Sequence, residues 1–198
     1  METQQLHSQT KIIVYDAVIR SKLLYGLEAA QINPQYLKTL DAFQLKGLRK
    51  ILKLKTTYTD IIAPTEQKAQ QNTRVYEIAN NHIRAIASVT NKKWNEVKPV
   101  SEVYNKRCIR LLAKIMTEQT PIQGVTINME TLKPHSPIKR RWGQPRNNWV
   151  DHTVIKLWNH FRKIPHTSLF GEYFHITLDL NSERHREALI HAATNYVI

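Results

Sequence analysis

The chain has 198 residues, 41 % of them apolar, which is enough to bury a core and excludes a wholly disordered polypeptide. Its 29 Lys and Arg against 16 Asp and Glu leave a formal charge of +13, so polyanions are the expected partners. The single cysteine, Cys108, excludes an intrachain disulfide and a multi-cysteine zinc site.

The basic excess is spread along the chain. Residues 1–64 hold 9 basic and 5 acidic side chains, 65–120 hold 10 and 5, and 121–198 hold 10 and 6. A folded body facing a phosphate backbone accounts for that distribution better than a basic tail does. The first ten residues are polar, without the apolar core of a signal peptide, and nowhere do about eighteen apolar residues run together. The expected location is intracellular, nuclear or cytoplasmic, neither secreted nor in a membrane.

In chain order, Ile12, Tyr15, Ile19 and Leu23 recur at helical spacing and predict a helix over 11–30, weakened near Gly26. Asn33-Pro34 then reads as a cap followed by a proline at the first helical position. The helix it opens is expected to run to about Leu54. Leu37, Leu40, Phe43, Leu48, Ile51 and Leu52 form its buried stripe, with Lys46, Arg49, Lys50 and Lys53 largely off it. Thr56 to Pro64 reads as an extended connection. Thr65-Glu66 opens a half-exposed helix to about Thr90, with Val75, Ile78, Ala79, Ile83 and Ile86 inward.

After Pro99, Ser101-Glu102 opens a further helix with Val103, Tyr104, Cys108, Leu111, Leu112 and Ile115 on its inner stripe, which makes Cys108 a core residue. Pro121, Gly124, Pro134, Pro137, Gly143 and Pro145 break the segment 120–145, read as a linker. Asn147 and Asn148 can cap a helix carrying Trp149, Val150, Val154, Leu157, Trp158 and Phe161, its tryptophans in the core. An ambiguous stretch over 170–180 precedes a last helix opened by Ser182, with Ala188, Leu189, Ala192 and Tyr196 inward.

Motifs for catalysis are missing. Asp16, Asp41, Asp60, Asp151 and Asp179 stand singly, whereas two-metal phosphoryl transfer needs carboxylates set close together. The nine histidines show no metal-ligand spacing and the five glycines are isolated, so no metal, cofactor or phosphate loop is expected. What remains is Lys139-Arg140-Arg141-Trp142-Gly143-Gln144-Pro145-Arg146. Its cations suit phosphate and its indole offers a stacking face, although a solvated linker with Trp142 packed on a neighbouring helix reads equally well.

Three runs carry a family resemblance. Tyr15-Asp16-Ala17-Val18-Ile19-Arg20-Ser21-Lys22-Leu23-Leu24-Tyr25-Gly26-Leu27-Glu28 resembles the segment just after the palm of non-LTR (LINE-type) retrotransposon reverse transcriptases. Leu40-Asp41-Ala42-Phe43-Gln44-Leu45-Lys46-Gly47-Leu48-Arg49-Lys50-Ile51-Leu52 is similar to that family's thumb helix, and Trp142-Gly143-Gln144-Pro145-Arg146-Asn147-Asn148-Trp149 to its Gly-Arg-Pro-x-x-x-Trp signature, with Gln144 in place of arginine. The resemblance spans about 11–151, and nothing after Arg162 takes part.

By the resemblance, the chain is a downstream fragment of an element's reading frame without the palm and its Tyr-x-Asp-Asp element, and is no enzyme by itself. The expected architecture is all-α: a thumb-like bundle over 1–118, a basic linker over 119–146 and a C-terminal helical segment over 147–198. The resemblance places Lys46, Arg49, Lys50 and Lys53 against the backbone of a primer-template duplex, with Lys139, Arg140, Arg141, Trp142 and Arg146 as a second contact area. The expected partners are RNA or DNA and, in a full-length element, a reverse transcriptase palm. The alternative is an inert structural or interaction module, in which Phe43, Leu48, Trp149 and Trp158 stay partly exposed.

Overall fold

The computed structural model of the chain describes residues 2–56, 62–118, 121–135, 149–162 and 176–197. They are mostly helical, as an all-α reading requires. In order they form α1 (Glu2–Leu23), a 3-10 turn (Leu27–Ala29), α2 (Pro34–Ile51), α3 (Thr65–Thr90), α4 (Val100–Thr117), α5 (Pro121–Thr126), the strands β1 (Ile127–Asn128) and β2 (Lys133–Pro134), α6 (Trp149–Phe161) and α7 (Glu183–Val197). Two compact units divide the chain. One takes in 1–25 and 32–103, the other 26–31 and 104–198, so the division falls within α4.

In the first unit, α1 stops seven residues short of the expected Ala30. Gly26 adopts φ +67°, a left-handed conformation that costs glycine nothing and that turns the chain into the 3-10 segment. Asn33 caps α2 as its side chain predicts, accepting from Gln35 N at 2.9 Å, with Pro34 at the first helical position. Ile12, Leu45, Leu48, Val75, Ala79, Ile83 and Val97 make the core, each fully buried aliphatic side chain contributing about 1.5–3 kcal/mol.

The inner face of α2 is not the one that hydrophobicity alone selects. Leu37, Gln44, Leu45 and Leu48 are buried, whereas Phe43, expected in the stripe, is 52 % exposed. Gln44 is buried because its amide is matched on every side. Its Nε2 donates to Asp16 Oδ1 (3.3 Å) and to Lys98 O (3.2 Å), its Oε1 accepts from Tyr76 Oη (3.0 Å), and its backbone carbonyl accepts from Tyr15 Oη (3.2 Å). A buried amide left unpaired costs about 1–3 kcal/mol, so this cluster holds only as a whole.

An extended segment over 92–99 lies along α3. The Asn80 side chain brackets the Val97 peptide, Nδ2 donating to Val97 O at 3.1 Å and Oδ1 accepting from Val97 N at 2.7 Å. Arg84 pairs with Glu96 at 2.6 Å, and Arg20, already paired with Asp16, donates to Glu96 O at 3.1 Å. Asp41 of α2 accepts from Ser101 N at 2.9 Å, meeting a free N–H at the start of α4 where the macrodipole favours a carboxylate.

The second unit gathers around Trp149, Val150, Val154, Leu157, Trp158 and Phe161 of α6, all buried as their spacing predicts, with Ala188, Leu189, Ala192 and Ala193 of α7. The indoles find partners: Trp149 Nε1 donates to Glu28 O at 2.8 Å and Trp158 Nε1 to Ile176 O at 3.1 Å. Tyr104 Oη donates to Ala30 O at 2.6 Å, under the Lys156 ammonium. Cys108 is buried as expected, and burial pushes its thiol up. The hairpin pairs Ile127 with Pro134 and Asn128 with Lys133, and it delivers Ile127 and Leu132 to the core from the stretch that reads as linker.

Two outcomes test the α1–α2 contact. A Cβ at Gly47 would overlap the Tyr15 ring. We expect Gly47→Ala to destabilise the protein by about 1–3 kcal/mol in urea denaturation, and Tyr15→Ala in the same chain to recover part of that loss.

Burial raises the Asp16 pKa above the ordinary 3.8, with Arg20 and the Gln44 hydrogen bond opposing it. The folded protein then binds this proton more tightly than the unfolded chain does. The stability it contributes is complete below 3.8 and is lost as pH rises through the raised value. Melting temperatures measured beside Asp16→Asn should show the unsubstituted protein losing ground to the variant as pH rises from the acid side.

Candidate nucleic-acid interface

Helix α2 carries Lys38, Lys46, Arg49 and Lys50 against one acid, Asp41, so it is the natural place to look for a polyanion surface. Asp41 is committed to Ser101 N. The Gln44 cluster, with Leu37, Leu45 and Leu48, fixes which side of α2 faces inward, and so decides which side chains remain outside.

Lys46, Lys50 and Lys53 are exposed. Lys46 and Lys50 stand one turn apart on the same side of the helix, and none of the three pairs with a carboxylate among the described residues. Arg49 differs from its sequence reading. It is half-buried, and its Nη2 donates to Asn72 Oδ1 of α3 at 2.8 Å, which ties two helices together. Its charge remains nearby, but its forked donors are partly committed within the protein.

Two of these cations sit where any helix would favour them. Lys50 in the last turn of α2 and Lys53 just past it face the negative end of the macrodipole, worth typically 0.3–1 kcal/mol at an exposed site. Lys46 lies farther back, and that account does not cover it. Lys53 also has φ +54°. Its N–H donates to Lys50 O (3.3 Å) and the Leu54 N–H to Arg49 O (2.9 Å), a Schellman closure whose left-handed position ordinarily holds glycine.

Two aromatic side chains of α2 are exposed as well. Tyr36 is 69 % exposed, and it and the outward-facing Phe43 are seven residues apart on α2. Sequence reasoning put Phe43 inside and passed over Tyr36. The usable signal was polar: Leu37, Asp41, Gln44 and Leu48 recur at four, three and four residues, an inner face with two polar members. Leu48, Trp149 and Trp158, which the inert-module alternative leaves partly exposed, are all buried.

The second expected contact area, Lys139, Arg140, Arg141, Trp142 and Arg146, lies outside the described residues, as do 57–61 of the expected extended connection, the capping pair Asn147 and Asn148, and 170–175 of the ambiguous stretch. Among the described residues, no three His, Cys, Asp or Glu side chains converge on a position that could hold a metal ion, and no helix is long and apolar enough to cross a membrane.

The left-handed Lys53 gives a direct test of the α2 terminus. Lys53→Gly relieves a conformation that costs a non-glycine residue roughly 1–2 kcal/mol, so we expect a stability gain of about 1 kcal/mol in urea denaturation.

No protein-family model, no curated protein and no solved structure matches the chain.

Proposed function

We propose that this chain is the thumb-like part of a non-LTR retrotransposon reverse transcriptase, downstream of the palm, and that it holds RNA or DNA by the phosphate backbone without reading base sequence. The observation that carries the reading is the exposed set Lys46, Lys50 and Lys53 on and just beyond α2, the helix whose sequence is similar to that family's thumb helix. These ammonium groups are point charges on flexible stems, suited to phosphate and indifferent to base identity. Arg49 takes a supporting part, because its hydrogen bond to Asn72 holds α2 against α3 beneath them. Lys139, Arg140, Arg141, Trp142 and Arg146 form a second contact area in the proposal, which gives the chain no catalytic residue and no cofactor. Its partners are a primer-template duplex or other RNA or DNA and, in a longer protein, the palm.

A second reading, an inert interaction module, draws on a different feature. Val14, Tyr15, Val18 and Ile19 of α1, with Ile51 of α2, line an apolar groove of about 430 Å³. A surface of that character suits protein contact better than phosphate.

Binding to a labelled primer-template duplex and to single-stranded RNA over a salt series separates the two readings. We expect tight binding whose logarithm falls linearly with the logarithm of salt concentration. Lys46→Ala with Lys50→Ala should flatten the slope by about 0.9 per lysine on a DNA duplex. Replacing Lys139, Arg140, Arg141 and Arg146 by alanine should flatten it further. Absence of binding at low salt by a folded sample would leave the module reading.

A further inference from the structure

The outer face of α2 combines two kinds of group. Residues seven apart on a helix return to nearly the same side, drifting by only about 20°. Tyr36, Phe43 and Lys50 therefore lie on one line, each step covering ~10 Å at ~1.5 Å of rise per residue. Lys46 lies beside that line, three residues beyond Phe43, and Lys53 follows the helix end. The only acid of α2, Asp41, is on the inner side with its carboxylate on Ser101 N.

Neither ring is there for the core. Phe43 and Tyr36 are more than half exposed, while the core contacts of α2 are made by Leu37, Leu45 and Leu48 and its buried polar contacts by Gln44. Exposed rings, with ammonium groups beyond and beside them that pair with no carboxylate among the described residues, offer an unpaired strand a face for a base and a charge for the adjoining phosphate. A duplex keeps its bases stacked on one another, so it can use the lysines but not the rings.

We infer that α2 is a platform for single-stranded nucleic acid, with Phe43 and Tyr36 stacking bases and Lys46, Lys50 and Lys53 holding the adjoining phosphates. This rests on the backbone-binding reading above and narrows it, from RNA or DNA of any form to a preference for an unpaired strand.

Fluorescence anisotropy with a labelled adenine-rich strand of about 16 nucleotides, beside a blunt duplex of the same length, tests the inference on the full chain. Phe43→Ala should weaken single-strand binding by about 5- to 150-fold, the range given by loss of one base stack. Duplex binding and the salt slope should stay as they were, Tyr36→Ala should act in the same direction, and Phe43→Trp should retain the affinity. Both positions are exposed, and circular dichroism checks that each variant remains folded. Equal losses on strand and duplex, or single-strand affinity unchanged by Phe43→Ala, would overturn the platform while leaving backbone binding intact. In that case Lys46→Ala with Lys50→Ala would still flatten the salt slope on both ligands. A folded, unsubstituted chain that binds neither ligand would overturn both.

Discussion

The Gln44 side chain sits at 1 % exposure between Asp16, Tyr76 and the carbonyl of Lys98, so one amide fixes α1, α3 and the segment before α4 relative to α2. Apolar packing is tolerant of direction, and a leucine-rich face can rotate by a fraction of a turn at modest cost. An amide cannot, because each donor and acceptor must meet its own partner within hydrogen-bond distance. Rotating α2 enough to bury Phe43 would take Gln44 out of its partners' reach and leave them buried and unpaired.

That constraint reaches the surface. With Gln44 and Asp41 held inside, Phe43, Tyr36, Lys46 and Lys50 are outside by geometry, not by their own hydropathy. The buried carboxylate of Asp16 is part of the same arrangement. Burial pushes its pKa up, the Arg20 guanidinium and the Gln44 amide pull it down, and Arg20 extends the network to Glu96 O. The Tyr76 hydroxyl is pushed up by burial first and by the carboxylates around it second, so it stays a neutral donor to Gln44. The surface lysines thus stand on a frame whose order comes from buried polar groups, beside a core of ordinary aliphatic packing.

The second unit is organised differently. Its core is apolar and aromatic, and its polar contacts run over both short and long separations in sequence: Asn128 Oδ1 accepts from the amides of Glu130 and Thr131 in the hairpin turn, His185 Nδ1 accepts from Asp179 N while its ring lies 4.9 Å from that of Trp158, and the Trp149 indole reaches Glu28 O. Leu132 is fully buried at φ +52°, so the hairpin tolerates a strained residue in order to place that side chain in the core.

Periodicity alone determined much about this protein. The helical character, the inner stripes of α3 and α4, the buried Cys108 and the whole apolar face of α6 were legible because each is a repeat of side-chain character at the helical period, and the Asn33-Pro34 start of α2 because the cap and the first-turn proline are adjacent in the chain. The basic character of α2 was legible for the same reason. Tertiary structure alone decided the rotation of α2, the commitment of Arg49 to Asn72, the overlap that Gly47 avoids with Tyr15, and the recruitment of Ile127 and Leu132 into a core from a stretch punctuated by proline. In each of these the deciding partner lies far away in sequence, from about twenty residues for Arg49 and Asn72 upward. A glutamine looks like a surface residue until the chain brings it an aspartate, a tyrosine and a carbonyl, and those three come from different segments that meet only on folding.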